Sequence, residues 1–572
     1  MKKLLGFLKP YKKETVLGPL FKLFEALLEL FVPLVIAEII DVGIARGEEG
    51  KGYILSMMLL LIALGAVGLI FSVTAQFFAA KASVGFVTGI RGALFSHIGK
   101  LSYSELDRVG SATLITRMTS DVNQVQTGMN LALRLLLRSP FVVFGAMIMA
   151  FTIDKKISLI FLVMIALLSL VVFGVMSLTM PLHKKVQSSL DTLTHATREN
   201  LSGVRVIRAF CKEDEEEKSF KQKNDSYAKM ERFTGRISAL TNPVTFIVVN
   251  FSIAVLIWKG ALRVSVGTLS QGEVVALYNY MSQILVELVK LANLIVTISK
   301  ALASSSRISD VLSIPEYTSG RQEYKDGGSV EFKNVSFRYE GAGDLSLKDI
   351  SFKAEKGETV GIIGGTGDGK TTLINLISGF YTATDGQVLV GEKLISCYSR
   401  KSLLSRMGIV PQKAILFSGT IRENMKWSKP DATDDEILSA LETAEAKNFV
   451  LEKEGGLDFY VEQGGKNFSG GQRQRLTVAR ALVGKPDILI LDDSSSALDY
   501  LTDRNMRKSI SALDYNPTVF IVSQRASSVM HADKIIVLDD GAMVGIGKHA
   551  ELLESCEVYR EIYDTQFRGE ED

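Results

Sequence analysis

Apolar residues are distributed unevenly along the chain. Up to about residue 303 they come in long runs, and beyond it they sit in short, Gly-punctuated segments mixed with charge. A helix that crosses a bilayer needs about 20 mostly apolar residues. Six segments meet that requirement, 15–40, 53–79, 131–153, 157–180, 239–258 and 274–303. Polar stretches of roughly 50 residues, with helix-favouring composition, separate the second from the third and the fourth from the fifth, whereas the other connections are short. The pattern predicts a multidomain chain: a six-helix all-α transmembrane domain over 1–310 with long helical extensions, a linker at 311–329, and an α/β domain over 330–572.

Orientation follows from the basic residues, which mark the cytoplasmic side of a membrane protein. The long connections carry Lys81, Arg91, Lys100, Arg108 and Arg117, then Lys184, Lys185, Arg198, Arg205 and Arg208. Both connections, both termini and the soluble domain are therefore expected on the cytoplasmic face of a plasma (inner) membrane. The opening MKKLLGFLKPYKKE is broken by Lys9 and Pro10 too early for a signal peptide and suits a short amphipathic segment lying on the bilayer. The acidic run 213–217 reads as a solvated helix face.

Composition narrows the classes. With 65 Lys and Arg against 63 Asp and Glu, the formal charge is +2, which disfavours a nucleic-acid partner. Three widely spaced cysteines, Cys211, Cys397 and Cys556, supply neither a disulfide framework nor metal-ligand spacing. Charges inside the apolar runs are costly in lipid, so they should face the bundle interior or a watery cavity. Glu25 and Glu29 share a helix face, and Glu287 and Lys290 can pair. These four either line a path for substrate, cationic in the simplest case, or form internal ion pairs.

The clearest chemistry lies in TVGIIGGTGDGKTTLINLI, residues 359–377, where an apolar strand runs through Gly364, Gly365, Thr366, Gly367, Asp368, Gly369, Lys370, Thr371 and Thr372 into an apolar helix. This is the phosphate-cradling P-loop pattern in its proper context. Glycines let backbone N–H groups approach the phosphates of ATP, Lys370 reaches the β- and γ-phosphates, and the Thr371 hydroxyl can hold Mg²⁺. PDILILDD then ends a buried strand at Asp492, a second Mg²⁺ ligand.

Four further segments carry a family likeness. Asn467-Phe468-Ser469-Gly470-Gly471-Gln472 resembles the signature motif of ATP-binding cassette (ABC) proteins, with Phe468 where Leu is commoner. Gln412 in IVPQ resembles the Q-loop, Tyr339 in VSFRY the adenine-stacking aromatic, and the Ser496–Asp499 segment the D-loop. Along nearly its whole length the chain resembles a half-transporter of the ABC exporters. The resemblance implies ATP held by Tyr339, the P-loop, Gln412 and Asp492, with Mg²⁺ on Thr371, Gln412 and Asp492. It implies that Phe468, Ser469, Gly470, Gly471, Gln472 and Asp499 serve the nucleotide of a second cassette on another chain, and that segments 105–110 and 210–217 are coupling helices.

Two positions depart from the family. A catalytic Glu is expected after Asp492 and a switch His in TVFIVSQR, but the chain has Asp493 and Gln524. One methylene less withdraws the carboxylate from the attacking water, and a Gln has no ionisable proton near neutral pH. The expectation is a heterodimeric exporter of drugs or other lipophilic molecules, like the degenerate-site subunit of bacterial multidrug exporters, pairing with a half-transporter that has the Glu and His. An ATP-gated regulatory or channel subunit and a slow homodimeric exporter are the alternatives.

Overall fold

The computed structural model describes residues 2–567 apart from residue 326. The chain forms two compact units, Met1–Gly99 with Ala112–Ile314, and Lys100–Ser111 with Pro315–Asp572.

The first unit is helical. Helix α1 (Lys12–Glu38) and helix α2 (Lys51–Ile98) come first; a short helix, α3 (Tyr103–Val109), then passes into the second unit. The helices α4 (Arg138–Ile153), α5 (Lys155–Ser202), α6 (Glu213–Ala239), α7 (Thr241–Ser265) and α8 (Gln271–Ser313) follow in the first unit, which also holds the helix Val122–Leu135. The polar stretches after the second and fourth apolar runs continue helices that began as apolar ones. At 1.5 Å per residue the 48 residues of α2 and of α5 each extend about 70 Å, more than twice the roughly 30 Å hydrocarbon layer.

Local chemistry fixes where these helices begin. The Asp154 carboxylate accepts the Lys156 and Ile157 N–H groups at 2.8 and 2.9 Å, so α5 starts at Lys155. Ser270 and Glu273 form a reciprocal capping box that starts α8. The acidic run 213–217 opens α6, where exposed carboxylates complement the positive end of the helix dipole.

Among the described residues five helical segments are long and apolar enough to cross a membrane, Gly47–Ile98, Ser111–Ile153, Lys155–Ser202, Glu213–Ser265 and Gln271–Ser313. The sixth expected span, 15–40, lies in α1 and falls short of that composition because Lys22, Glu25, Glu29 and Glu38 interrupt it. Helix α1 still packs tightly: a Cβ on Gly18 would sit 3.4 Å from the Ala79 backbone, and Ala75, Ala79 and Ala82 of α2 are fully buried. Small residues that let backbones approach are the usual means of joining helices in lipid.

The charges in this unit pair with one another. Lys22 donates to Glu25 at 2.5 Å; Arg138 reaches both Glu29, at 2.6 Å, and Glu287. Glu287, 3 % exposed, also accepts from Ser139 at 2.7 Å and Lys290 at 2.8 Å. Glu287→Gln removes a charge on which the buried Arg138 depends. Breaking a buried pair from one side costs about 3–5 kcal/mol, so this variant should show a clearly lowered unfolding midpoint in detergent, while Glu25→Gln, nearer the surface, should shift it little.

The second unit is built on a ten-stranded sheet. In chain order the strands are β1 (Val330–Phe337), β2 (Leu347–Ala354), β3 (Thr359–Gly364), β4 (Asp385–Val390), β5 (Lys393–Leu394), β6 (Met407–Val410), β7 (Ile488–Asp492), β8 (Thr518–Val522), β9 (Lys534–Asp539) and β10 (Ala542–Gly547). Across the sheet they run β5-β4-β1-β2-β10-β9-β3-β8-β7-β6. The segment β6-β7-β8-β3-β9 is parallel, and its central strands are uninterrupted apolar runs, as two-sided burial demands. Register pairs Val522 with both Ile362 and Asp492. The loops after β3, β7 and β8 therefore leave from one edge, the carboxyl ends at which α/β sheets bind ligands.

Candidate nucleotide site

After β3 the chain turns through Gly367 and Gly369, at φ of 101° and 88°, into helix α9 (Lys370–Ile377). Other residues seldom take such angles. A Cβ on Gly369 would lie 2.5 Å from the Ser346 carbonyl oxygen, and one on Gly364 2.3 Å from that of Leu538. The Lys370 ammonium donates to the carbonyls of Gly364, at 3.0 Å, and Gly365. Burial lowers its pKa, so this cation is poorly solvated and preset for an anionic neighbour.

A cavity of about 270 Å³ opens here, lined by Tyr339, Thr366, Gly367, Gly369, Lys370, Thr371, Thr372, Gln412, Asp492, Asp493 and Gln524. Ser346, Val522 and Ser523 complete the lining. Val522 and Ser523 lie in the TVFIVSQR segment beside Gln524, whereas Ser346 belongs to no motif and only the fold reveals it. Gly364, Gly365 and Asp368 form the turn beneath. Tyr339 is anchored through its hydroxyl to Thr372 at 3.1 Å and lies edge-on to Phe337 and Tyr381.

Thr371 Oγ1 donates to both oxygens of Asp492 at 3.3 and 3.4 Å, an oxygen cluster beside a P-loop lysine that fits a hard divalent cation. Bound there, Mg²⁺ would neutralise charge developing on the transferred phosphoryl group. Gln412 is exposed, with its amide nitrogen 3.5 Å from Asp493. Burial raises the pKa of Asp492. A carboxyl whose folded pKa lies above its unfolded value adds stability below the unfolded value and withdraws it as pH rises through the folded one. At neutral pH the ionised group thus weakens the empty unit. Asp492→Asn should raise the unfolding midpoint of the nucleotide-free protein by about 2 °C and abolish its further rise on adding Mg-ATP.

Asp493 departs from ordinary backbone geometry. Its φ is +45°, its N–H donates to Val522 O at 3.0 Å, and its carbonyl accepts from the Ser496 hydroxyl at 3.0 Å. Asp tolerates the left-handed region better than most residues. The backbone here is tied on both sides. Gln524 is exposed, and Gln566 of the C-terminal helix, Glu557–Phe567, brackets its loop, donating to the Gln524 carbonyl at 2.7 Å and accepting the Ala526 N–H at 2.8 Å.

The residues expected to face a second cassette lie apart from this cavity. Ser469 caps helix α10 (Gly470–Val483): its hydroxyl accepts the Gln472 N–H at 3.3 Å, and the Gln472 side chain accepts the Ser469 N–H at 3.1 Å. Ser469 and Gly470 are exposed, leaving the positive end of a four-turn helix uncovered, an anion-binding arrangement. A Cβ on Gly471 would sit 3.0 Å from the Ala497 carbonyl, so the two segments touch. Phe468 is buried edge-on to Phe459, which accounts for a large apolar ring at that position. Asp499 caps the following helix through the Thr502 N–H at 3.0 Å, and that bond lowers its pKa.

Of the segments expected to couple the halves, 105–110 overlaps α3. Tyr103 stacks on Phe380 at 4.3 Å under the Arg400 guanidinium, and Tyr381, which touches Tyr339, donates to Asp107. Segment 210–217 is exposed in the first unit. In that unit Glu29, Glu287 and Lys290 line one cavity of about 300 Å³ with Asn279, Ser282 and Gln283; Glu25 is not among its lining residues. Arg138, the centre of the ion pairs, was not singled out from the sequence, although Arg134 and Arg138 within the apolar run 131–153 are a visible signal.

A phosphate cradle with an Mg²⁺-fitting carboxylate, a second exposed helix terminus for anions, and a unit of membrane-length helices together define an ATP-driven membrane transporter. Comparison with known proteins is specific. Residues 15–288 match the ABC transporter transmembrane region and 347–496 the ABC transporter domain. The chain is 35% identical over 572 residues to the uncharacterized ABC transporter ATP-binding protein YfiB of Bacillus subtilis, covering 100% of this chain and 99% of that one. It is 30% identical to an ATP-dependent lipid A-core flippase of Hahella chejuensis, covering 99% and 97%. A solved bacterial Atm1-family ABC exporter with ATP bound superposes with a TM-score of 0.81 at 22% identity, covering 97% and 98%. The chain belongs to the ABC transporter family and has the type I exporter fold.

Proposed function

We propose that this chain is one half of a heterodimeric exporter in which its own P-loop site retains ATP and its signature segment completes a faster site on a different half-transporter. In this reading the chain crosses the inner membrane six times, with both termini and the cassette in the cytoplasm, in keeping with the basic residues of the long connections. The cargo is a drug-like or other lipophilic molecule, in keeping with a family relative named as a lipid A-core flippase and with a cavity that mixes Val32, Pro33, Ile36 and Val142 with Glu29 and Lys290.

The observation that carries this reading is Asp493. Hydrolysis needs one water held in line with the γ-phosphate, and misplacement by about 1 Å can cost on the order of 100-fold. The carboxylate is one methylene short, and the tied backbone at Val522 and Ser496 opposes a shift that would bring it forward. At Gln524 an amide can donate a hydrogen bond but cannot become a cation. In contrast, Lys370, Thr371, Asp492 and Tyr339 are arranged for retention of Mg-ATP. Within the cycle, Lys370 and the P-loop N–H groups clamp phosphate charge, Tyr339 stacks on adenine, and closure of two cassettes is transmitted through α3. The chain purified without a companion should bind ATP at micromolar concentration yet release phosphate at a small fraction of the rate of the co-purified pair. Ordinary turnover by the lone chain overturns the proposal.

A further inference from the structure

A second cavity in the cassette, about 290 Å³, is as large as the nucleotide pocket and shares none of its lining. Its walls are helix α11 (Tyr500–Ser511) and the short helix α12 (Ala526–Val529) with the turn to Ala532. The floor is apolar, made by Leu491, Ile510, Val519 and Ile521. The rim is basic. Arg504, Arg507 and Lys508 stand at i, i+3 and i+4 on one face of α11, His531 faces them from the other wall, and among the described residues no carboxylate lines the space.

The rim is held in place. Arg507 donates to the carbonyls of Ser527 and Ser528 at 3.0 and 2.8 Å and pairs with Asp503 at 2.9 Å, bridging both walls, while its Nε is buried without a partner among the described residues. Arg504 and Lys508 are exposed and have no ion pair there. An apolar floor gains from an apolar body, and three cations with one acid nearby leave an excess that suits an anionic head. At about 30 Å³ per water, the space suits roughly ten heavy atoms.

We propose that this cavity binds a small organic anion, a phosphate or carboxylate on an apolar body, and that its occupancy modulates ATP turnover. The walls supply the route. Helix α11 follows directly from the Ser496–Asp499 segment, and α12 from Gln524 and Arg525, so a ligand spanning the cavity fixes the spacing of one loop that lines the nucleotide pocket and one expected to face a second cassette. The proposal holds whether or not the chain's own site hydrolyses ATP.

The test uses the intact transporter saturated with a non-hydrolysable Mg-nucleotide, so that the P-loop is filled, and equilibrium dialysis against phenyl phosphate, benzoate, inorganic phosphate and phenol. Phenyl phosphate or benzoate should bind saturably and at least tenfold more tightly than phosphate or phenol, and which of the two binds better identifies the head group. R504E/K508E should weaken that binding at least tenfold and R504Q/K508Q by a smaller factor, with nucleotide binding unchanged in both; the neutral pair decides the matter if the reversed pair does not fold. With ATP, turnover should change over the same probe concentrations. Absence of saturable binding, equal binding of phenol, indifference to both variants, or saturation without any change in turnover would each overturn the proposal.

Discussion

Gly470→Asp should cut ATP turnover of the intact transporter by on the order of 100-fold or more, whereas Lys370→Ala should lower it only modestly. Gly470 is the exposed first residue of α10, with its nearest neighbour, Ala497 Cβ, 3.8 Å from an added Cβ. An acid in a first helical turn is favourable by about 0.5 kcal/mol, so the helix should form. The same carboxylate would confront the γ-phosphate that the signature segment is proposed to hold for the companion. Like charges 4 Å apart repel by about 4 kcal/mol at a near-surface dielectric, far more than the helix gains. Lys370, in contrast, serves the site proposed to be slow. Phosphate release from proteoliposomes measures both variants, and equal losses would remove the asymmetry.

Asp493→Glu with Gln524→His, made in the Gly470→Asp background, should restore turnover by about 100-fold. Under the proposal the companion's site is silent in that background, so any recovered activity is assigned to this chain's own P-loop. A hundredfold corresponds to about 2.7 kcal/mol of barrier, a plausible return for one positioned water. Glu accepts the left-handed backbone at position 493 less readily than Asp, so the variant should also unfold slightly earlier, by roughly 1 kcal/mol. Recovery from Asp493→Glu alone would assign the defect to reach; a need for both would assign part of it to the missing imidazole.

The nucleotide pocket was legible in the sequence because its geometry is local: the glycines, Lys370 and Thr371 lie in consecutive positions, and Asp492 ends an unmistakable apolar strand. Asp493 and Gln524 were legible only against a family pattern, and the left-handed turn that pins Asp493 depends on Val522 of strand β8, far along the sequence. Contacts across long separations were hidden. Arg138 joins Glu29 and Glu287, which lie 109 and 149 residues from it. The spacing of Glu25 and Glu29 suggested a common role, yet Lys22 engages the first and Arg138 the second. Segment 100–111 also reads as part of the membrane half by position, although its aromatic and ionic contacts fall in the second unit.

The bracket that Gln566 forms around the Gln524 loop bears on how the protein is handled. A truncation or fusion that displaces Gln566 would remove both hydrogen bonds that steady that loop, so assays of such preparations would confound the alteration with the enzyme. Fusions at the opposite end of the polypeptide, or a cleavable linker checked before and after proteolysis, avoid that artefact.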